Sequence, residues 1–272
     1  MRKVAVKLSC GLGNRLFQMV AAIKVCEDSP NCEPVIFLPR YTGAEHGDYE
    51  LFMKLFPDIR ILETAVSWVE VDTKKYDSLV PKIPPTSPLT LISGFFQNSE
   101  NFPSLSNKYL PALPNYLPPT NAWAMHFRFG DYQKLPHYHV GLSRYYGYVL
   151  RMIPKDTNIH LFSDSPGRLS PIAEELRTIG YTVEIFQDSD TLKTLQKFAS
   201  CQGGSICSNS TFSWWAAFFA WRFANDTKYQ AFFPDRWHNT APPVNLFTLP
   251  FTQSIPIDHL PAYPRLNSFS HS

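Results

Sequence analysis

Ala122-Trp123-Ala124-Met125-His126-Phe127 runs directly into Arg128-Phe129-Gly130-Asp131, an apolar stretch of strand length that closes on an arginine, a glycine and a carboxylate. Such a run, bounded by turn residues, reads as a strand buried on both faces. The same unit then recurs. Helix 143–153 follows, then strand 158–162, helix 171–179, strand 182–186, helix 191–201, strand 205–207, helix 211–223 and strand 229–233. Strict alternation of strands and helices predicts a parallel sheet covered on both faces. Ser170-Pro171 is read as an N-cap with proline in the first helical position, and Gly180 as the left-handed stop of that helix.

Upstream, residues 3–9 alternate like a strand, Gly11 to Gly13 form a turn, and a helix is expected over 14–27. Short strands are expected at 35–38 and 90–93. Between and after them, Pro81, Pro84, Pro85, Pro88, Pro103, Pro111, Pro114, Pro118 and Pro119 preclude a long helix. The lobe boundary is placed in the proline-rich stretch 111–120. The expected fold is therefore α/β, two Rossmann-type lobes with mostly parallel sheets, spanning 1–115 and 116–272, with a C-terminal tail that packs back on the first lobe.

Composition narrows the function. With 272 residues, 44% hydrophobic and 15% aromatic, the chain has ample material for a packed core. A formal charge of +2 supplies no field for nucleic acid, so no nucleic-acid partner is expected. No apolar run reaches the roughly 18 residues of a membrane span, and residues 1–8 do not read as a signal peptide, so a cytoplasmic chain is expected. The five cysteines, Cys10, Cys26, Cys32, Cys201 and Cys207, lack metal or redox spacing and are expected to be reduced and mostly buried. Asn209-Ser210-Thr211 and Asn225-Asp226-Thr227 match the glycosylation triplet and are read as incidental.

Four segments place polar groups where strands end. Gly11, Gly13 and Asn14 lie between the first strand and first helix, a plain tight turn or a backbone cradle for a pyrophosphate at a helix N-terminus. Arg128 ends a strand, where its fork suits two phosphate oxygens or a salt bridge to Asp131; His126 in that strand reads as a core histidine or a site residue. Ser163 and Asp164 follow the strand 158–162, where a carboxylate serves as a turn residue or accepts from a guanine edge or sugar hydroxyl. Ser208, Asn209, Ser210 and Thr211 precede a helix, an anion cradle or an ordinary cap. The aromatic positions Phe212, Trp215, Phe219 and Phe223 follow helical spacing and read as core.

These residues resemble the α-1,2-fucosyltransferases of glycosyltransferase family 11. Cys10 to Gln18 is similar to the family's opening G-G-L-G-N-Q-M-F-Q, His126 to Asp131 to its H-x-R-R-x-D, Phe162-Ser163-Asp164 to its F-S-D, and Ser208 to Ala216 to its S-N-S-T-F-S-W-W-A; Pro234 to Trp237 is similar to its P-x-x-W. Cys10, Arg15 and Phe129 depart from that pattern, replacing a glycine, a glutamine and the second arginine. The resemblance implies a GT-B-like pair of lobes, the first on the acceptor side and the second on the donor side. It further implies GDP-β-L-fucose as donor and inverting transfer to a glycan hydroxyl, the 2-OH of a β-galactoside, without metal or other cofactor. Arg128 then holds the pyrophosphate, His126 and Asp164 shape the nucleotide site, Ser210 and Thr211 contact phosphate, and Asp131 is the available catalytic carboxylate. Asp188-Ser189-Asp190 spells the D-x-D of metal-dependent glycosyltransferases, but Asp190 stands before a helical run and is read as its N-cap. Two alternatives stay open: a nucleotide-sugar-binding protein without turnover, motivated by Phe129, and a nicotinamide-dependent oxidoreductase, motivated by Gly11-x-Gly13.

Overall fold

A computed structural model describes residues 1–38, 49–64, 67–72, 88–224, 228–262 and 264–269. Pro81, Pro84, Pro85 and Asn225-Asp226-Thr227 lie outside them. The chain forms two compact units, Met1–Pro114 and Asn115–Ser272, dividing within the proline-rich stretch.

The first unit contains β1 (Arg2–Val6), α1 (Leu12–Glu27), β2 (Cys32–Phe37), α2 (Tyr49–Leu55), β3 (Arg60–Leu62), β4 (Val69–Asp72) and β5 (Leu89–Ser93). Its sheet has the order β3-β2-β1-β5-β4, every pairing parallel. Ala5, Val35, Phe37, Leu89 and Leu91 are buried on it. The segments α2, β3 and β4 were unreadable in sequence because each is shorter than the window that periodicity needs.

The second unit contains β6 (Trp123–Phe127), α3 (Leu142–Val149), β7 (Asn158–Ser163), α4 (Ser170–Thr178), β8 (Thr182–Ile185), α5 (Thr191–Ser200), β9 (Gly204–Ile206), α6 (Thr211–Ala224), β10 (Ala231–Pro234), β11 (Arg236–His238), β12 (Val244–Asn245) and β13 (Thr252–Ile255). Its main sheet is parallel throughout, in the order β13-β10-β9-β6-β7-β8. The chain steps outward from β6 through β7 to β8, then returns to β9 on the other side of β6. That reversal point lies at the carboxyl ends of β6 and β9, the place where open α/β sheets bind ligands.

Several local expectations are corrected. Helix α1 begins at Leu12, and α3 ends at Val149. Ser170 is inside α4 and caps nothing: the N-cap position is Leu169, with no side-chain bond. Gly180 does adopt φ +105° just after that helix, and its N–H donates to the Arg177 carbonyl. Only Cys201 and Cys207 are buried; Cys26 and Cys32 are partly exposed and Cys10 is exposed, all five being free thiols. The edge strand β13 was not expected, and the tail beyond it joins the second unit's own core. Leu266 donates its N–H to the Ser143 carbonyl, Phe269 packs on Phe127, Phe129 and Tyr146, and Glu175 accepts the N–H groups of Asn267 and Ser268.

No helix among the described residues is long and apolar enough to cross a membrane.

Candidate functional site

In the first unit, Gly11 is the N-cap of α1 in extended conformation, and no side chain caps it. A Cβ at Gly11 would meet no described atom within 4 Å, so the fold itself does not demand glycine there. The left-handed residue of the turn is Cys10, at φ +64°. Gln18 reaches back to fix this turn, accepting from the Ser9 N–H at 2.9 Å and donating to the Gly94 carbonyl at 3.0 Å. Gly13 is buried in the first turn of α1, and Asn14 accepts from Gln97 at 2.9 Å. Arg15, the departure from glutamine, is fully buried.

In the second unit, the polar groups at the sheet's reversal point are organised around Arg128, one residue beyond β6. Its guanidinium donates to Asp131 at 2.6 Å from one terminal nitrogen and pairs with Asp164 at 3.0 Å from the other. Burial acts to lower its pKa, but Asp164 and Asp131 outweigh it and raise the value, so Arg128 is a fixed cation. Asp164 also accepts the Phe129 N–H at 2.9 Å and the Ser163 hydroxyl at 3.3 Å. A Cβ on Gly130 would lie 2.4 Å from the Asp164 carboxylate, and Gly130 has φ +24°; both facts explain the glycine. The Asp164 carboxylate is thus already engaged with this turn, whatever ligand it also meets.

Arg128 lies over the Tyr132 ring, 5.3 Å from its centroid, and the Tyr132 hydroxyl donates to the Asn209 carbonyl at 3.1 Å. Burial raises the Tyr132 phenol far above its ordinary pKa, so it stays a donor. One tyrosine therefore joins the guanidinium to the N-terminus of the 14-residue helix α6, where the macrodipole favours an anion. Asn209, fully buried, donates to the carbonyls of Tyr138 at 3.1 Å and Trp237 at 2.8 Å, which draws two further segments to the same helix end. A glycan on that fully buried amide would have no room in this fold.

His126 lies beneath this surface. Its Nδ1 is 2.6 Å from the Ser213 hydroxyl and 3.0 Å from that of Ser208, and the two hydroxyls are 3.0 Å apart. Burial, then the charge of Arg128, lowers its pKa to about 3, so it is neutral. Ser208 is fully buried in that triangle and Ser210 is 4% exposed, whereas Thr211 and Phe212 reach the surface. His126 and Ser208 thus shape the cradle from below. Trp214, Trp215 and Phe219 are buried as core, while Phe223 is half-buried and stacks on Tyr116.

Phe129 is 1% exposed and stacks between Phe127 and Phe269, with the Arg168 guanidinium over its ring at 4.3 Å. Asp190 caps α5, accepting from the N–H groups of Leu192 at 2.8 Å and Lys193 at 3.1 Å, while Asp188 accepts from the Asp190 N–H and pairs with Lys193. Asp190 is thus the N-cap expected from the sequence, and Asp188 braces the same helix start through the Asp190 N–H and Lys193. An open cavity of about 410 Å³ lined by Thr120, Ala122 and Asn158 lies at the opposite, amino ends of β6 and β7. It gathers no cation, and sheets of this kind do not bind ligands at that end.

The reading of the sequence missed the half-buried aromatic and imidazole cluster beside Arg128. Tyr138 stacks on Tyr132 with centroids 3.8 Å apart, and His238 sits edge-on to Tyr138 at 4.7 Å and to His137 at 5.3 Å. The run His137-Tyr138-His139 was its visible trace. No family model matches the chain, and no curated protein matches it.

Proposed function

We propose that the chain is an inverting glycosyltransferase that moves L-fucose from GDP-β-L-fucose to a hydroxyl of a glycan acceptor, the 2-OH of a β-galactoside. The two parallel-sheet units agree with a GT-B-like enzyme, and the donor identity rests on the resemblance of the four segments. The observation that carries the reading is the junction of Arg128, Tyr132 and the start of α6 at the sheet's reversal point.

As the glycosidic bond breaks, negative charge grows on the leaving phosphate. A fixed guanidinium and a helix N-terminus held one tyrosine apart stabilise that charge without rearranging during the reaction. Asp131 and Asp164 each hold one terminal nitrogen of the guanidinium. Asp131 therefore works through Arg128, as its orienting carboxylate. The charge supplied by Arg128 and α6 fills the role a divalent cation would play on the diphosphate, so the proposed reaction proceeds without metal.

The test is single-turnover transfer from GDP-fucose to lactose at high enzyme concentration, in excess EDTA, for wild type, Arg128→Lys and Arg128→Ala. Lysine keeps the charge but loses the fork, so both variants should lose turnover to a similar degree. Near-normal turnover in Arg128→Lys would remove the arginine from its role. Loss of wild-type activity on chelation, restored by magnesium or manganese, would overturn the metal-free reaction. A second reading, donor binding without turnover, is favoured by the burial of Phe129, which places no cation at that position. It predicts GDP binding with no single-turnover product, whereas preference for NAD over GDP would point to the oxidoreductase.

A further inference from the structure

The sheet order lays the polar groups of the second unit out in a line. Asp164 follows β7, Arg128 follows β6 and the Ser208–Thr211 cradle follows β9, while His238, four residues beyond the end of β10, closes β11 in the separate two-stranded sheet. Neighbouring strands lie about 4.8 Å apart, so the row from β7 to β10 spans about 15 Å. With a phosphate held in the middle of the row and a nucleobase toward Asp164, the opposite end is left for the sugar side of the donor.

At that end stand His137, Tyr138 and His238, each partly exposed. They come from two segments, Pro136–Tyr138 and Arg236–His238, and the buried Asn209 amide holds both by the Tyr138 and Trp237 carbonyls. The His137 carbonyl also accepts the Asn239 N–H at 2.6 Å. The partly exposed edges of rings fixed in this way suit the C–H and hydroxyl groups of a pyranose, with little ordering left to do on binding.

Building on the fucosyl-transfer reading, we infer that His137, Tyr138 and His238 form the saccharide subsite and that His238 accepts the proton of the acceptor hydroxyl. In that step the acceptor O–H bond breaks and its proton passes to the His238 imidazole. The acceptor oxygen forms a bond to the anomeric carbon, and the bond from that carbon to the phosphate oxygen breaks, its electron pair leaving on GDP. Burial, then His137, lowers the His238 pKa, which keeps the ring neutral and able to take a proton near pH 7. Among the described residues, His137 and Tyr138 meet the His238 ring, Tyr132 stacks on Tyr138 with Arg128 over its ring, and Arg236 on His238's own strand pairs with Asp235 and Asp258. On this proposal the acceptor contact falls at least partly in the second unit.

Two measurements separate this inference from the reading beneath it. The first is calorimetric binding of GDP. The second is the imidazole C–H NMR signals of His137 and His238, assigned by His137→Gln and His238→Gln, during titration of the GDP complex with lactose. Both resonances should shift with lactose, and His238→Gln should retain GDP affinity within about twofold while losing turnover by about a hundredfold, together with the acidic limb of the pH profile. If GDP binds but lactose moves neither imidazole, the subsite is wrong and the nucleotide reading stands. If GDP fails to bind while lactose shifts both signals, the nucleotide reading falls and the subsite stands. A His238→Gln enzyme with wild-type turnover and an unchanged pH profile would overturn the proton-acceptor role. If GDP, rather than lactose, lost affinity in that variant, the cluster would belong to the nucleotide.

Discussion

Gly130→Ala probes the arrangement that holds Arg128 in place. The added methyl would sit 2.4 Å from the Asp164 carboxylate oxygen, so one of the two groups must move, and the backbone at φ +24° already disfavours an L side chain. The backbone cost is about 1 kcal/mol. Displacing Asp164 sacrifices the Phe129 N–H bond and the Arg128 pair, and a charge-assisted hydrogen bond in a half-buried setting contributes about 1–2 kcal/mol net. The sum is about 2–3 kcal/mol. Urea unfolding of wild type, Gly130→Ala, Asp164→Ala and the double variant resolves the two parts. With Asp164 truncated the clash disappears, and Gly130→Ala should then cost only the backbone part, giving a coupling of about 1–2 kcal/mol. Equal costs in the two backgrounds would show that the glycine answers to backbone shape alone and that Asp164 does not depend on it.

Protonation of His126 should govern acid stability: its folded pKa of about 3 lies below the ordinary value of 6.5, so the unfolded chain binds the extra proton. The stability is fully present above pH 6.5 and falls by about 1.4 kcal/mol per pH unit as pH drops toward 3, so the gap between wild type and His126→Gln in urea midpoint should narrow between pH 7 and 5. A constant gap would argue against a buried neutral imidazole. Asp190→Ala should cost about 1 kcal/mol in the same unfolding assay, the loss of an N-cap holding two N–H groups; no change would mean the cap is dispensable. Gly147→Ala would bring a Cβ to 2.8 Å from the Arg265 backbone. Loss of about 1–3 kcal/mol is expected, with faster proteolytic trimming of the tail; unaltered trimming would mean that the tail is held without this contact.

The alternation from residue 122 to residue 233 determined by itself that the second unit is a parallel α/β sheet. The central strands β6, β7 and β9 are short and buried through their middles and the helices between them carry an apolar face, so local pattern and tertiary burial point the same way. It also marked Arg128, Ser163–Asp164 and Ser208–Thr211 as strand-end groups, because a parallel sheet sends such ends to one edge. The cap role of Asp190 was legible for a similar reason, being settled within four residues.

Only the tertiary structure decided how those groups divide their work. Ser208 and His126 look like ligand contacts in one dimension, yet the sheet places them under the surface in a closed triangle with Ser213. Phe129 stands where the resemblance has a second arginine, but its ring turns into the core formed with Phe269, 140 residues later in number, and no local pattern encodes that pairing. Strand β13 and the ledge of His137, Tyr138 and His238 depend likewise on partners far along the chain. Tyr132 is the clearest case: nothing adjacent to it in sequence says that its hydroxyl meets the Asn209 carbonyl, 77 positions away. Periodicity reports which face of an element is buried, and it carries no information about which distant element covers that face; the contact is decided by the packing of the whole sheet.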